Sequence, residues 1–141
     1  MTGYVATAES DIDATPAQVW EVLTDPEQLK QLWFGAEVRT DWQVGSPITW
    51  SGEFEGKSYQ DKGEVLAVEP GRLLKVTHYS PMTGQPDVPE NYHTLTYELT
   101  GDDSTHLKLT QDNNGSEEEA EHSRGMWEML VAKVKEAAEK Q

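Results

Sequence analysis

The chain contains no cysteine. That absence removes disulfides, thiolate metal sites and cysteine nucleophiles from consideration. No apolar run approaches the roughly 18 residues that would span a bilayer. Cations are also scarce: 11 Lys and Arg stand against 26 Asp and Glu, a formal charge of −15. Charge of that sign repels phosphate backbones and anionic lipid, so neither nucleic acid nor a membrane surface is an expected partner. It implies a well-solvated surface, with a salt-adapted host as the alternative reading. Residues 1–13 lack the basic and apolar regions of a signal peptide, so a cytoplasmic location is expected. The glycosylation sequon Asn114-Gly115-Ser116 is then expected to be idle.

What is present fits a single domain over residues 1–141, large enough to bury a core without staples. Residues 3–13 alternate, with Tyr4, Ala6, Ala8, Ser10 and Ile12 on one side, and read as a half-buried strand. Thr15, Pro16 and Gln18 form a capping box with proline in the first turn. Val19, Trp20, Val22 and Leu23 follow at helical spacing. Asp25-Pro26 stops this helix and starts a second, which carries Leu29, Leu32 and Trp33. Both helices are too short to stand alone, so their apolar residues must dock on something.

From Ala36 to Gln111 the pattern is that of an antiparallel meander of about six strands. Turn signals fall at Gly45-Ser46-Pro47, Glu69-Pro70-Gly71 and Gly101-Asp102-Asp103-Ser104. A longer, proline-rich break spans residues 80–91, read as an ordinary loop with a flexible lid as the alternative. The alternation selects a core face of Trp50, Leu74, Val76, His93, Leu95, Tyr97, Leu99, Leu107 and Leu109. Asp112-Asn113-Asn114-Gly115 reads as the end of the sheet. Ser116 with Glu119 then makes a second capping box, opening a helix that can run to Lys140. Its apolar stripe is Ala120, Trp127, Leu130, Val131, Val134 and Ala138. Segregated helices and an antiparallel sheet make an α+β domain. The economical arrangement wraps a curved sheet around the long C-terminal helix, with the two short helices closing one end.

This order and its motifs resemble the START-like superfamily, also known as SRPBCC or helix-grip. Within it the chain resembles the activator of Hsp-ninety ATPase homologues. The likeness rests on Ile12-Asp13-Ala14-Thr15-Pro16-Ala17-Gln18-Val19-Trp20 and on Leu23-Thr24-Asp25-Pro26-Glu27-Gln28-Leu29. It continues in Glu64-Val65 through Glu69-Pro70 with Arg72-Leu73, and in Gly125, Trp127, Leu130 and Val134, where Met126 displaces the tryptophan by one position. It covers residues 5–140. The resemblance implies a deep cavity between sheet and terminal helix, suited to apolar or aromatic small molecules. It does not imply one reaction.

Chemical motifs are few. His78, His93, His106 and His122 have no metal-ligand spacing. His78 and His93 fall where neighbouring strands would turn both towards a cavity, although a structural role is the default for each. The string from Asp112 has glutamate where a calcium loop needs its sixth-position glycine. Ser51-Gly52 reads as a strand bend. Glu53, Glu55, Asp61, Glu64 and Glu98 all fall on strands, and no spacing selects an acid–base pair among them. No nucleophile elbow or phosphate loop occurs. No metal or cofactor is implied, and nothing in the sequence argues for catalysis.

Aromatic residues are better placed, distributed over the elements that would surround a cavity. The candidate wall is Trp33, Phe34, Trp50, Val76, His78, His93, Leu95, Tyr97, Trp127, Leu130 and Val131, with a solid core as the competing reading. The leading expectation is a non-enzymatic domain that binds a small apolar or aromatic molecule. A chaperone-activating partner, suggested by the resemblance, and a cyclase- or hydrolase-type enzyme are the alternatives. Trp127 and Met126 are candidates for a homodimer contact, with core packing as the default.

Overall fold

The computed structural model describes residues 3–33 and 35–140, and all their side chains except those of Phe54 and Met82. The elements are β1 (Tyr4–Ile12), α1 (Pro16–Thr24), α2 (Pro26–Leu32), β2 (Glu37–Arg39), β3 (Pro47–Phe54), β4 (Lys57–Glu69), β5 (Leu73–His78), β6 (His93–Gly101), β7 (Thr105–Asn114) and α3 (Glu117–Glu139). All the strands join one antiparallel sheet in the order β1-β7-β6-β5-β4-β3-β2. Helix α3 crosses β1 and β7, and α1 and α2 pack against it. This is the α+β helix-grip arrangement expected from the sequence.

Local chemistry sets the boundaries. Gln18 N–H donates to Thr15 Oγ1, and Gln18 Oε1 accepts from Thr15 N–H, which completes the capping box of α1. Asp25 does two jobs. Its backbone N–H closes α1 on Glu21 O at 2.9 Å, while its carboxylate accepts from Glu27 N–H at the start of α2. At α3, Ser116 Oγ accepts from Glu119 N–H as expected, but the Glu119 carboxylate reaches one residue further back, to Gly115 N–H at 2.8 Å. The reciprocal half of the expected capping box is therefore shifted by one position.

Curvature comes from bulges between Tyr4 and Ala6 and between Val65 and Ala67, because an extra residue in one strand increases its twist. Close approach is needed as well. A Cβ on Gly63 would lie 1.7 Å from the carbonyl oxygen of Thr77, so only glycine lets β4 run this close to β5.

The core lies between the concave face of the sheet and the helices. Val19, Val22, Leu23, Leu29 and Leu32 dock the two short helices, while Leu130, Val131, Val134 and Ala138 seat α3. Small side chains at Ala6 and Ala8 let α3 approach β1 closely. On the even-numbered face of β1, Ala6, Ala8 and Ile12 are buried while Tyr4, at the strand's start, is exposed; the core face expected in β5 to β7 is buried, with His93 half-buried at its edge.

One expectation fails at the end of the sheet. β7 runs through Asp112-Asn113-Asn114 to its last residue. Side chains there replace missing ladder bonds. Asp112 Oδ1 accepts from Thr94 N–H at 2.6 Å, Asn113 donates to the carbonyls of Glu90 and Tyr92, and Asn114 donates to those of Tyr4 and Gln111. The buried Asn114 amide in the sequon is therefore committed to the fold.

Candidate functional site

Four adjacent strands place one residue each in a row across the concave face. Trp50 on β3 stands opposite Asp61 on β4, and His78 on β5 stands opposite His93 on β6. An antiparallel bridge between Lys62 and Tyr79 sets His78 opposite Gly63, with Asp61 as its diagonal neighbour on the same face. His78 Nε2 and Asp61 Oδ2 are 2.9 Å apart, and the two side chains are 12% and 15% exposed. A carboxylate can only accept, so in the neutral ring the proton is on Nε2. His93 is fixed differently. Its Nδ1 lies 2.8 Å from the carbonyl oxygen of Asp112, so that nitrogen donates and Nε2 is left free to accept.

Above this row lies a cleft of about 500 Å³. Tyr59, Asp61, His78, His93 and Gln111 line it from the sheet, and Trp33, Ser123, Met126 and Trp127 from the helical side. Ser80, Thr83 and Asn91, from the proline-rich segment, form its rim. That segment is held rather than loose. Tyr79 Oη donates to Gln85 O at 2.6 Å, Asn91 Nδ2 to Pro86 O at 2.7 Å, and Tyr92 Oη to Asp87, whose carboxylate also pairs with Lys62. The ordinary-loop reading fits these bonds.

The tryptophans close the inner end. Trp33 lies 5.5 Å from Trp50 and 5.6 Å from Trp127 between ring centres, and Trp50 meets His78 at 4.8 Å. Trp127 Nε1 donates to Gln111 Oε1 at 3.1 Å. Beneath this cluster only about 20 Å³ of void remains. The deep central cavity implied by the resemblance is thus filled by side chains, and the open space sits at the end of the grip. Bulky rings occupy the middle: Trp50 on β3 and Tyr97 on β6 rise from the sheet, and Trp33 is brought onto them by the end of α2.

Of the candidate wall, Trp33, His78, His93 and Trp127 come together around the cleft. Trp50, Val76, Leu95, Tyr97, Leu130 and Val131 are buried in the core beneath it. Phe34 lies outside the described residues. Burial pushes the Tyr97 phenol well above its ordinary range, so it is a neutral hydroxyl in this setting. Burial first, and the charge of Asp61 second, also raise Tyr59.

Sequence reasoning left Asp61 unselected among the strand carboxylates and passed over Tyr59 and Gln111. A signal existed in β4, where Tyr59, Asp61, Gly63 and Val65 share the inward face by alternation. Gly52, read as a bend, lies opposite Tyr59 in the paired run of β3. A Cβ there would meet Tyr59 Oη at 2.9 Å, so the glycine makes room for the ring that walls the cleft.

Two other grooves, of about 430 and 550 Å³, contain no tryptophan, and charged side chains line part of each. Among the described residues no three His, Asp or Glu side chains are placed to share a metal ion, and no helix is long and apolar enough to cross a membrane.

Comparison with known proteins agrees with the fold. The family profile described as "Activator of Hsp90 ATPase homolog 1-like protein" matches residues 13–139. A protein from Cytophaga hutchinsonii, known from its solution structure, is 40% identical, with a TM-score of 0.86 over 99% of this chain and 97% of its own. The Aha1 dimer from Colwellia psychrerythraea is 21% identical and superposes with a TM-score of 0.72 over 96% of each chain. A Chromobacterium violaceum protein, 18% identical, gives a TM-score of 0.77 over 96% of both chains. These last two show the fold alone. No curated protein matches the chain.

Proposed function

The chain belongs to the Activator of Hsp90 ATPase homolog 1-like family, and from that premise we propose that it is a non-enzymatic binding domain holding a small apolar or aromatic molecule between sheet and C-terminal helix. The observation that carries this reading is the cleft itself. Its volume of about 500 Å³ suits a small organic molecule, and its walls combine Trp33, Tyr59 and Trp127 with a few polar groups. Flat rings offer large contact area at little entropic cost, while Gln111, His93 and Asp61 fix orientation.

The family description, and the dimer formed by the Colwellia relative, make chaperone contact and self-association the competing roles. Trp127 is buried against the sheet, which leaves Met126 and Met129 as the exposed apolar residues on α3 for any such contact.

The test is titration with N-phenylnaphthylamine, a neutral dye that brightens in apolar sites. Saturable binding with quenching of tryptophan emission is expected. Met126→Trp, at a half-exposed position on the cleft wall, is expected to abolish binding without lowering the melting temperature. Absence of dye binding, or equal binding by the variant, would remove the proposal. Pull-down with purified chaperone at low salt and sedimentation analysis test the competing roles.

A further inference from the structure

The charge of the cleft narrows the class of molecule it can take, and this deduction rests on the binding role proposed above. Among the described residues lining the cleft there is no lysine or arginine. The ionisable groups are Glu53, Asp61, Tyr59, His78 and His93. With both histidines neutral the lining carries two carboxylates, and with both protonated these charges cancel. In neither state is the cleft positive. The whole chain, at −15, adds a field of the same sign. An anionic ligand would enter a half-buried site with no net positive charge to meet it, which is unfavourable.

Hydrogen-bonding capacity points the same way. Asp61 Oδ1 and His78 Nδ1 are fully buried and have no hydrogen-bond partner within the protein, the only side-chain atoms of that kind among the described residues. Asp61 Oδ1 can only accept, and so can Nδ1 of the neutral ring, since Nε2 holds the proton against Asp61. His93 contributes a third acceptor, because its Nδ1 is committed to Asp112 O. A buried acceptor without a donor is costly, and although these two atoms are closed to solvent, the Asp61 side chain is 15% exposed to the cleft, so a ligand N–H that shifts it slightly can supply the missing donor. The walls add to this, because Trp33, Trp127 and Tyr59 present aromatic rings, and such rings attract cations.

We infer that the cleft selects arylalkyl amines: a flat apolar ring held among Trp33, Tyr59 and Trp127, with a protonated side-chain amine directed at Asp61. The ammonium donates to the carboxylate, and the Asp61–His78 pair positions the acceptor. Glu53, exposed at the mouth, attracts the cation on approach.

Three ligands of one shape test this: naphthylmethylamine, naphthylmethanol and naphthoic acid, titrated by calorimetry and by tryptophan quenching. The amine is expected to bind about tenfold more tightly than the alcohol, as for a partly desolvated cation against rings and a carboxylate, with the acid weakest. Asp61→Asn, which keeps the shape, is expected to weaken the amine far more than the alcohol and so to erase most of the amine's advantage. Should that variant fail to fold, Glu53→Gln, at an exposed position, is expected to slow association of the amine alone. Equal or tighter binding of the acid overturns the inference, as does an amine preference that survives loss of both carboxylates. If none of the three binds while N-phenylnaphthylamine does, amine selectivity is wrong and the binding role stands. If the dye also fails, both fall.

Discussion

Trp127 on α3 donates its indole N–H to Gln111 on β7 across 3.1 Å, and both residues are about 5% exposed. This bond ties the terminal helix to the sheet at the inner edge of the cleft. It also commits the Gln111 oxygen, so the amide NH₂ is what that residue has left to offer a ligand. Gln111→Ala would leave a buried indole N–H without an acceptor, at a cost of roughly 1–3 kcal/mol. Urea unfolding should show the loss as a lower midpoint with an unchanged slope.

Trp33 separates the cleft from the small void beneath it and lines both. Trp33→Ala should join the two spaces. Removing a large, mostly buried ring is expected to destabilise the domain by roughly 3 kcal/mol. If the fold survives, the enlarged site should take bulkier neutral aromatics than the parent protein. Paired thermal unfolding and dye titration would show both effects.

Gly63 is the residue that permits β4 to pass Thr77. Gly63→Ala forces a Cβ to within 1.7 Å of a backbone oxygen, which cannot swing aside as a side chain can. The strands must part instead. A loss of about 3 kcal/mol or failure to fold is expected. A soluble, fully stable Gly63→Ala protein would contradict the observed strand pairing.

His106 on β7 sits between Asp11 and Glu9 of β1, at 2.8 and 2.9 Å. Bonding to Asp11 first, and Glu9 second, raises its pKa above the ordinary value of 6.5. A raised folded-state value means the protonated form is favoured by folding. The stabilisation is therefore complete below pH 6.5 and fades as pH climbs through the higher folded value. The group is largely exposed, so solvent screening limits the effect to about 0.5 kcal/mol or less. His106→Gln should flatten this part of the stability profile, and added salt should weaken it in the parent protein.

The row Trp50, Asp61, His78 and His93 shows where reading the chain reached its limit. Alternation within each strand marks every one of these positions as inward or nearly so, since side chains repeat with period two. Which inward residues become neighbours depends on register between strands. Asp61 and His78 are 17 positions apart, and no spacing rule joins them. The expected placement of His78 and His93 on neighbouring strands is present, although the long proline-rich segment rather than a tight turn joins β5 to β6.

The helices were readable for a different reason. Their boundary signals act over three or four residues, so Thr15, Gln18, Asp25 and Ser116 act as sequence alone suggests. Asp112 to Asn114 misled because turn-forming side chains can also bond across strands, a choice made only when β1 and β6 are in place.

The amino-acid sequence by itself determined the element order and the faces of strands and helices, which follow from local periodicity and capping, and its motifs carried the resemblance to a helix-grip family. Only the tertiary structure decided that the deep interior is packed shut by Trp33, Trp50 and Trp127, and that the open space lies at one end above an Asp61–His78 pair. Whether a ring lines a cavity or fills it depends on ångström-scale distances between elements far apart in the chain, and those distances are set by packing.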